Sequence, residues 1–134
     1  GVGTRLTLSD DQTITVSLPS GFGPFVYYGQ GYTQLSICGN GWICPGYTRS
    51  RDYTNHEIPN TDDPTMVAVN WDDLYPGYDN EGYVYWWHDE ANHRFIVQYD
   101  SMPYYSNRTT YEWNQVIIYD TTMAVPLIFL ANIT

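Results

Sequence analysis

Fifteen acidic residues stand against five basic ones, and the acids come in pairs: Asp62-Asp63, Asp72-Asp73, Asp79 with Glu81, and Asp89-Glu90. Ca²⁺ takes roughly six to eight oxygens, largely from carboxylates and carbonyls on loops. Asp72, Asp73 and Asp79 flank one loop and are the candidate calcium ligands. Against them, no D-x-D-x-D-G loop is present, and neighbouring Asp side chains on a strand point apart. The expectation is therefore no resident cofactor, with the acids serving solubility. Paired carboxylates also hydrolyse glycosides, but fifteen acids contain such pairs by chance. G-x-S-x-G, the P-loop and Cys-His signatures are absent. No catalytic residue is assigned, and the chain is not expected to be an enzyme. His56, His88 and His93 lack metal-ligand spacing and read as solvated or turn residues.

Aromatic residues make up 17% of the chain, with 14 Tyr and 5 Trp. Those in loops offer flat faces to sugars; Tyr75, Tyr78, Tyr104 and Tyr105 are the stacking candidates. The plainer expectation is that these rings pack over the ends of a sandwich. Asn107-Arg108-Thr109 and Asn132-Ile133-Thr134 are N-glycan acceptor sequences, so Asn107 and Asn132 are candidate glycosylation sites.

The net charge of −10 repels phosphate, which excludes nucleic acid as a partner and disfavours anionic membranes. All five basic residues are Arg; without Lys, no Lys-Asn isopeptide cross-link can form. No apolar run approaches the ~18 residues of a membrane span. Gly1 rather than Met stands first, as after removal of a signal segment or trimming of the chain.

The elements that must position these groups are strands. In Phe25 to Ile43 an aromatic run meets a Tyr-Gly break and then a strand. There Leu35 and Ile37 alternate with Ser36 and Cys38, the period of one buried face. Asn40-Gly41 supplies a tight turn. A two-residue turn sets Cys38 opposite Ile43 and sends Cys44 to the other face, which forbids a disulfide; a wider loop would let the two pair. Buried free thiols are the expected state. Ile14, Val16 and Leu18 form another alternating strand. Residues 45–64 read as a long surface loop, a kind that is often functional. Residues 66–71 read as a buried strand. Residues 83–88 and 94–100 form a hairpin in which Phe95, Val97 and Tyr99 share a face with Val84 and Trp86. Residues 111–119 form a strand. Val125 to Ile133 is apolar on both alternating faces, so it needs cover on both sides. No helical period is sustained. The expectation is one domain, residues 1–134: an all-β antiparallel sandwich, jelly-roll-like, of about nine or ten short strands.

Several segments recur in a familiar order. Leu18-Pro19 ends a strand after an acidic turn, then come Tyr27-Tyr28-Gly29, Asn40-Gly41-Trp42, Trp71-Asp72-Asp73-Leu74, Gly82-Tyr83-Val84-Tyr85 and Gln115 to Tyr119. This order, over about Asp10 to Leu130, resembles the nidogen-like extracellular β modules of bacterial secreted and surface proteins. The family pattern is looser here at LPSGFGPFVYYG, and Gly39 stands where Ser is usual. The resemblance implies a non-catalytic structural or adhesive role outside the cell, and it brings no catalytic residues.

The expected function is a structural subunit of an extracellular fibre or cell-surface assembly, with partners that are copies of itself. Copies would join by strand donation. The donor segments would be residues 1–9 or 123–134, with Val125, Leu127, Phe129 and Ile133 as candidate donor side chains. The alternative is a carbohydrate-binding or adhesive module of a larger secreted protein, with glycans as partners.

Overall fold

The computed structural model describes residues 3–62, 65–121 and, as backbone, 128–132. Its eleven strands are β1 (Thr4–Leu6), β2 (Thr13–Ser17), β3 (Phe25–Tyr27), β4 (Gln30–Tyr32), β5 (Gln34–Cys38), β6 (Trp42–Pro45), β7 (Val67–Ala68), β8 (Tyr83–Asp89), β9 (Arg94–Pro103), β10 (Tyr111–Tyr119) and β11 (Ile128–Asn132). They make a five-stranded sheet in the order β1-β8-β9-β10-β11, a four-stranded sheet in the order β2-β5-β6-β7, and a separate β3-β4 hairpin. Every pairing is antiparallel. The fold is the expected all-β sandwich.

Alternation builds the core. Val84, Phe95, Val97, Tyr99, Val116 and Ile118 from the larger sheet meet Leu35, Ile37 and Ile43 from the smaller one. Trp86 lies against Phe95, ring centroids 5.3 Å apart and 15° from parallel. In β9 the parity then changes. Tyr99 and Met102 are both buried, three residues apart, because the pairing with β10 shifts between Glu112 and Asn114. Ser101 sits in the left-handed region at φ 52°, where the extra residue of a bulge is absorbed.

Three expectations about the smaller sheet need correction. The β5–β6 turn spans three residues, so Cys38 lies opposite Trp42 and Ser36 opposite Cys44. Cys38 and Cys44 therefore share a face with Trp42, contrary to the two-residue register. Both remain free, buried thiols. Nor does β5 have a wet face: Ser36 and Cys38 are as buried as Leu35 and Ile37. The physical reason is the long loop after β6. Trp42 and Trp71 both aim their indole N–H groups at the Asp52 carbonyl oxygen, at 2.9 and 3.2 Å. This folds the loop over a second cluster of Cys38, Trp42, Cys44, Met66 and Trp71. Ser36 answers its burial by donating to the Gly46 carbonyl at 2.8 Å and accepting the Thr48 N–H at 3.1 Å. The buried strand expected over residues 66–71 shortens to β7, two residues long.

The two sheets are pinned by one phenol. The Tyr99 hydroxyl lies 2.9 Å from both the Cys38 and the Trp42 carbonyl oxygens, sharing its proton between them. Burial raises its pKa well above the usual tyrosine value.

The tail segment pairs with β10 of its own chain, with Phe129 opposite Ile117 and Asn132 opposite Asn114. It is an edge strand. Val125, Leu127 and Ile133 lie outside the described residues.

Candidate functional site

The turn after β5 gathers the loops at one end of the sandwich. Gly41 has φ 78°, and a Cβ there would stand 2.0 Å from the Asn70 carbonyl oxygen, so only glycine fits. The preceding Asn40 is fully buried. Its amide nitrogen donates to Asp11 Oδ1 at 2.9 Å and to the Arg51 carbonyl at 3.3 Å. Its amide oxygen accepts the Leu74 N–H at 3.0 Å. Three distant segments thus meet on one side chain.

Acids converge beside it. Asp10, Asp11 and Asp73 each bring an oxygen within 4.8 Å of the others. Of the calcium candidates, only Asp73 joins this group; Asp72 and Asp79 do not, and Asp10 and Asp11 replace them. Burial and then the Asp11 charge raise the Asp10 pKa. Burial, followed by Asp11 and Asp10, raises that of Asp73. Oxygens of this type suit a hard cation, but three are about half a calcium shell. The nearby Asn40 oxygen is already committed to Leu74.

Next to the acids, the Tyr105 N–H donates to the Asp73 carbonyl at 2.8 Å. Three of the four expected sugar-stacking rings come together here. Tyr75 lies 5.3 Å from Tyr78 and 5.4 Å from Tyr105, centroid to centroid. Arg108 covers all three, its guanidinium carbon 5.2, 4.8 and 5.2 Å from the Tyr75, Tyr78 and Tyr105 centroids. The cation lies over one face of each ring. Tyr104 turns away and donates to Glu112 Oε1 at 3.0 Å. In the same loop Asn107 is exposed, and its Oδ1 accepts the Thr109 hydroxyl at 2.9 Å. Asn132 is the last described residue of β11.

The histidines are dispersed into structural contacts. His56 pairs with Asp52 at 3.5 Å, His88 meets the Phe22 ring edge-on at 5.8 Å, and His93 Nδ1 lies 3.1 Å from Asp120 Oδ2. At the β8–β9 turn, Asp89 accepts from Arg94 Nε at 3.0 Å and from Asn92 at 2.8 Å, and these bonds, Arg94 first, lower its pKa.

A second place was not foreseen. The outer face of the five-stranded sheet carries a groove of about 600 Å³, bordered by Gly3, Tyr85, Trp87, Gln98, Asp100 and Gln115. Strand register sets Arg5, Tyr85, Gln98, Gln115 and Ala131 in one row across all five strands. Trp87, Ile96 and Ile117 occupy the next row, and Tyr83 lies opposite Asp100 in the row on the other side. Gln115 Nε2 donates to Gln98 Oε1 at 3.2 Å. Arg5 sits on the Tyr83 ring, 4.6 Å from its centroid. The sequence signal was the outward half of each strand's alternation, which ordinarily only solvates a sheet.

Among the described residues no helix is long and apolar enough to cross a membrane. No curated protein and no solved structure matches the chain. A family model described as NIDO related matches residues 1–133.

Proposed function

Because the chain belongs to the nidogen-related family, and so to the extracellular modules, we propose that it is a non-catalytic structural subunit whose copies join head to tail by exchanging edge strands. The observation that supports this reading is the position of the first and last strands: β1 and β11 form the two opposite edges of one sheet. Five registered pairs hold β11 to β10, and the same five would form with the β10 of a neighbour. Exchange thus preserves every ladder bond while linking two copies. Mutual exchange between two copies would close a dimer; when each copy passes β11 on in one direction only, the linkage stays open and grows into a fibre or surface array. The exposed Asn107, with its Thr109 contact, is the glycan acceptor of such a surface.

The test compares the full chain with one lacking residues 128–134, by light scattering after size exclusion and by negative-stain microscopy. The full chain is expected to form concentration-dependent oligomers or filaments, and the truncated chain none. A synthetic peptide of residues 123–134 should stabilise the truncated chain and cap growth of the full one. A full chain that stays monomeric at every concentration, or a truncated chain that assembles equally well, refutes the proposal.

A further inference from the structure

We propose that the groove on the outer face of the five-stranded sheet binds a neutral glycan chain with equatorial hydroxyls, a β-linked glucan being the simplest. This goes beyond strand exchange, since it uses the face of the sheet and not its edges.

The floor and walls suit that ligand. Tyr85 and Trp87 lie on the same face of β8 and border the groove, and Trp87 is 38% exposed. Flat rings at such positions match the apolar faces of pyranoses. Ile96 and Ile117, buried on this side, give the rings a firm base. Between them the polar groups are few and placed, as in small-molecule sites. Gln98 and Gln115 both line the groove, and the bond between them uses one acceptor and one donor, so the Gln98 amide N–H groups and the Gln115 amide oxygen are the ones a ligand would use. Asp100 adds an acceptor. Sugar hydroxyls both donate and accept, so neighbouring hydroxyls satisfy an amide and a carboxylate together. A peptide would instead seek an unpaired strand edge.

Charge selects the class. The chain carries −10 and the groove holds Asp100, while Arg5, in the same row, rests on Tyr83. Phosphates and uronates are repelled, but a neutral sugar is not. Tyr83 to Trp87 spans ~13 Å along the strand, the reach of a short oligosaccharide.

The experiment is native gel electrophoresis of the full chain through hydroxyethylcellulose, barley β-glucan, xylan, mannan and alginate, with calorimetric titration of cello-oligosaccharides. Retardation is expected in hydroxyethylcellulose, barley β-glucan or xylan, with a change in tryptophan fluorescence, and retardation by mannan alone overturns the proposal. Trp87→Ala and Gln98→Ala should each weaken binding by about tenfold or more, Trp87→Tyr should retain most of it, and Tyr105→Ala should leave it unchanged. Near-ultraviolet circular dichroism checks that each variant is folded. Retardation by alginate alone, or by none of the five, overturns the proposal. So does loss of binding in Tyr105→Ala with Trp87→Ala unaffected, or a groove variant that alters the oligomeric state without glycan. Filaments without glycan binding would leave strand exchange standing and sink this proposal alone.

Discussion

Tyr99→Phe is the sharpest test of how the two sheets are held in register. The substitution removes one oxygen and keeps the ring, so the volume lost is too small for a substantial cavity term. What is lost is a fully buried proton shared by two carbonyl oxygens at 2.9 Å. A net hydrogen bond contributes about 1 kcal/mol, and leaving a buried acceptor unsatisfied adds about 1 to 3 kcal/mol. The Gly41 N–H, which also reaches the Cys38 carbonyl at 3.3 Å, recovers part of that, so the expected loss is about 2 kcal/mol. For a chain of this length it corresponds to a fall in Tm of roughly 6–8 °C. Urea unfolding followed by tryptophan fluorescence reads it, with the m-value unchanged if the unfolded state is untouched. Tyr104→Phe is the control: its hydroxyl meets Glu112 at a half-exposed position, and the expected loss is about 0.5 kcal/mol. If Tyr99→Phe costs no more than the control, the phenol is not a pin between the sheets.

Gly41→Ala forces a Cβ to 2.0 Å from the Asn70 oxygen at a positive φ, and it should cost about 3 kcal/mol or more, read by urea midpoint. Asn40→Ala strips three bonds from a buried hub and should cost about 2–4 kcal/mol by the same assay. Burial pushes the Cys38 thiol up to about 11. Stability from keeping it neutral is therefore complete below the unfolded value near 9 and declines as pH rises from about 9 to 11 by roughly 3 kcal/mol. Burial pushes the Cys44 thiol up to about 11 as well, so Cys38→Ala should remove only its own share of the alkaline decline and the double variant Cys38→Ala/Cys44→Ala should remove both. Asp73 has a raised pKa, so its ionisation opposes folding, and the penalty grows as pH rises through the folded value. Asp73→Asn should raise Tm at pH 7 and have little effect near pH 3.

What was legible in the sequence was periodicity. The strand over residues 111–119 and the hairpin pairing Val84 and Trp86 with Tyr99 and Val97 follow directly from alternation, because one face of each meets the core. The failures share a cause: tertiary cover that leaves no local trace. Ser36 and Cys38 read as a wet face, yet the 45–64 loop folds over them, drawn by two indole N–H groups to one carbonyl. The Cys38 register hinged on one residue of turn length, which Asn-Gly chemistry does not fix when Gly39 precedes it. The bulge at Ser101 moved Met102 inward with no residue type announcing it. In the acidic cluster, Asp73 was nameable from its loop. Asp10 and Asp11 arrive from far along the chain through Asn40, and no spacing rule links them.

The antiparallel ladder has a directional consequence. Passing from β1 through β8, β9 and β10 to β11 reverses direction four times, so β1 and β11 run the same way on opposite margins of the sheet. Tension between the beginning of β1 and the close of β11 therefore acts along the strands, loading many interstrand bonds at once instead of unzipping them singly. Such an arrangement yields abruptly and at high force.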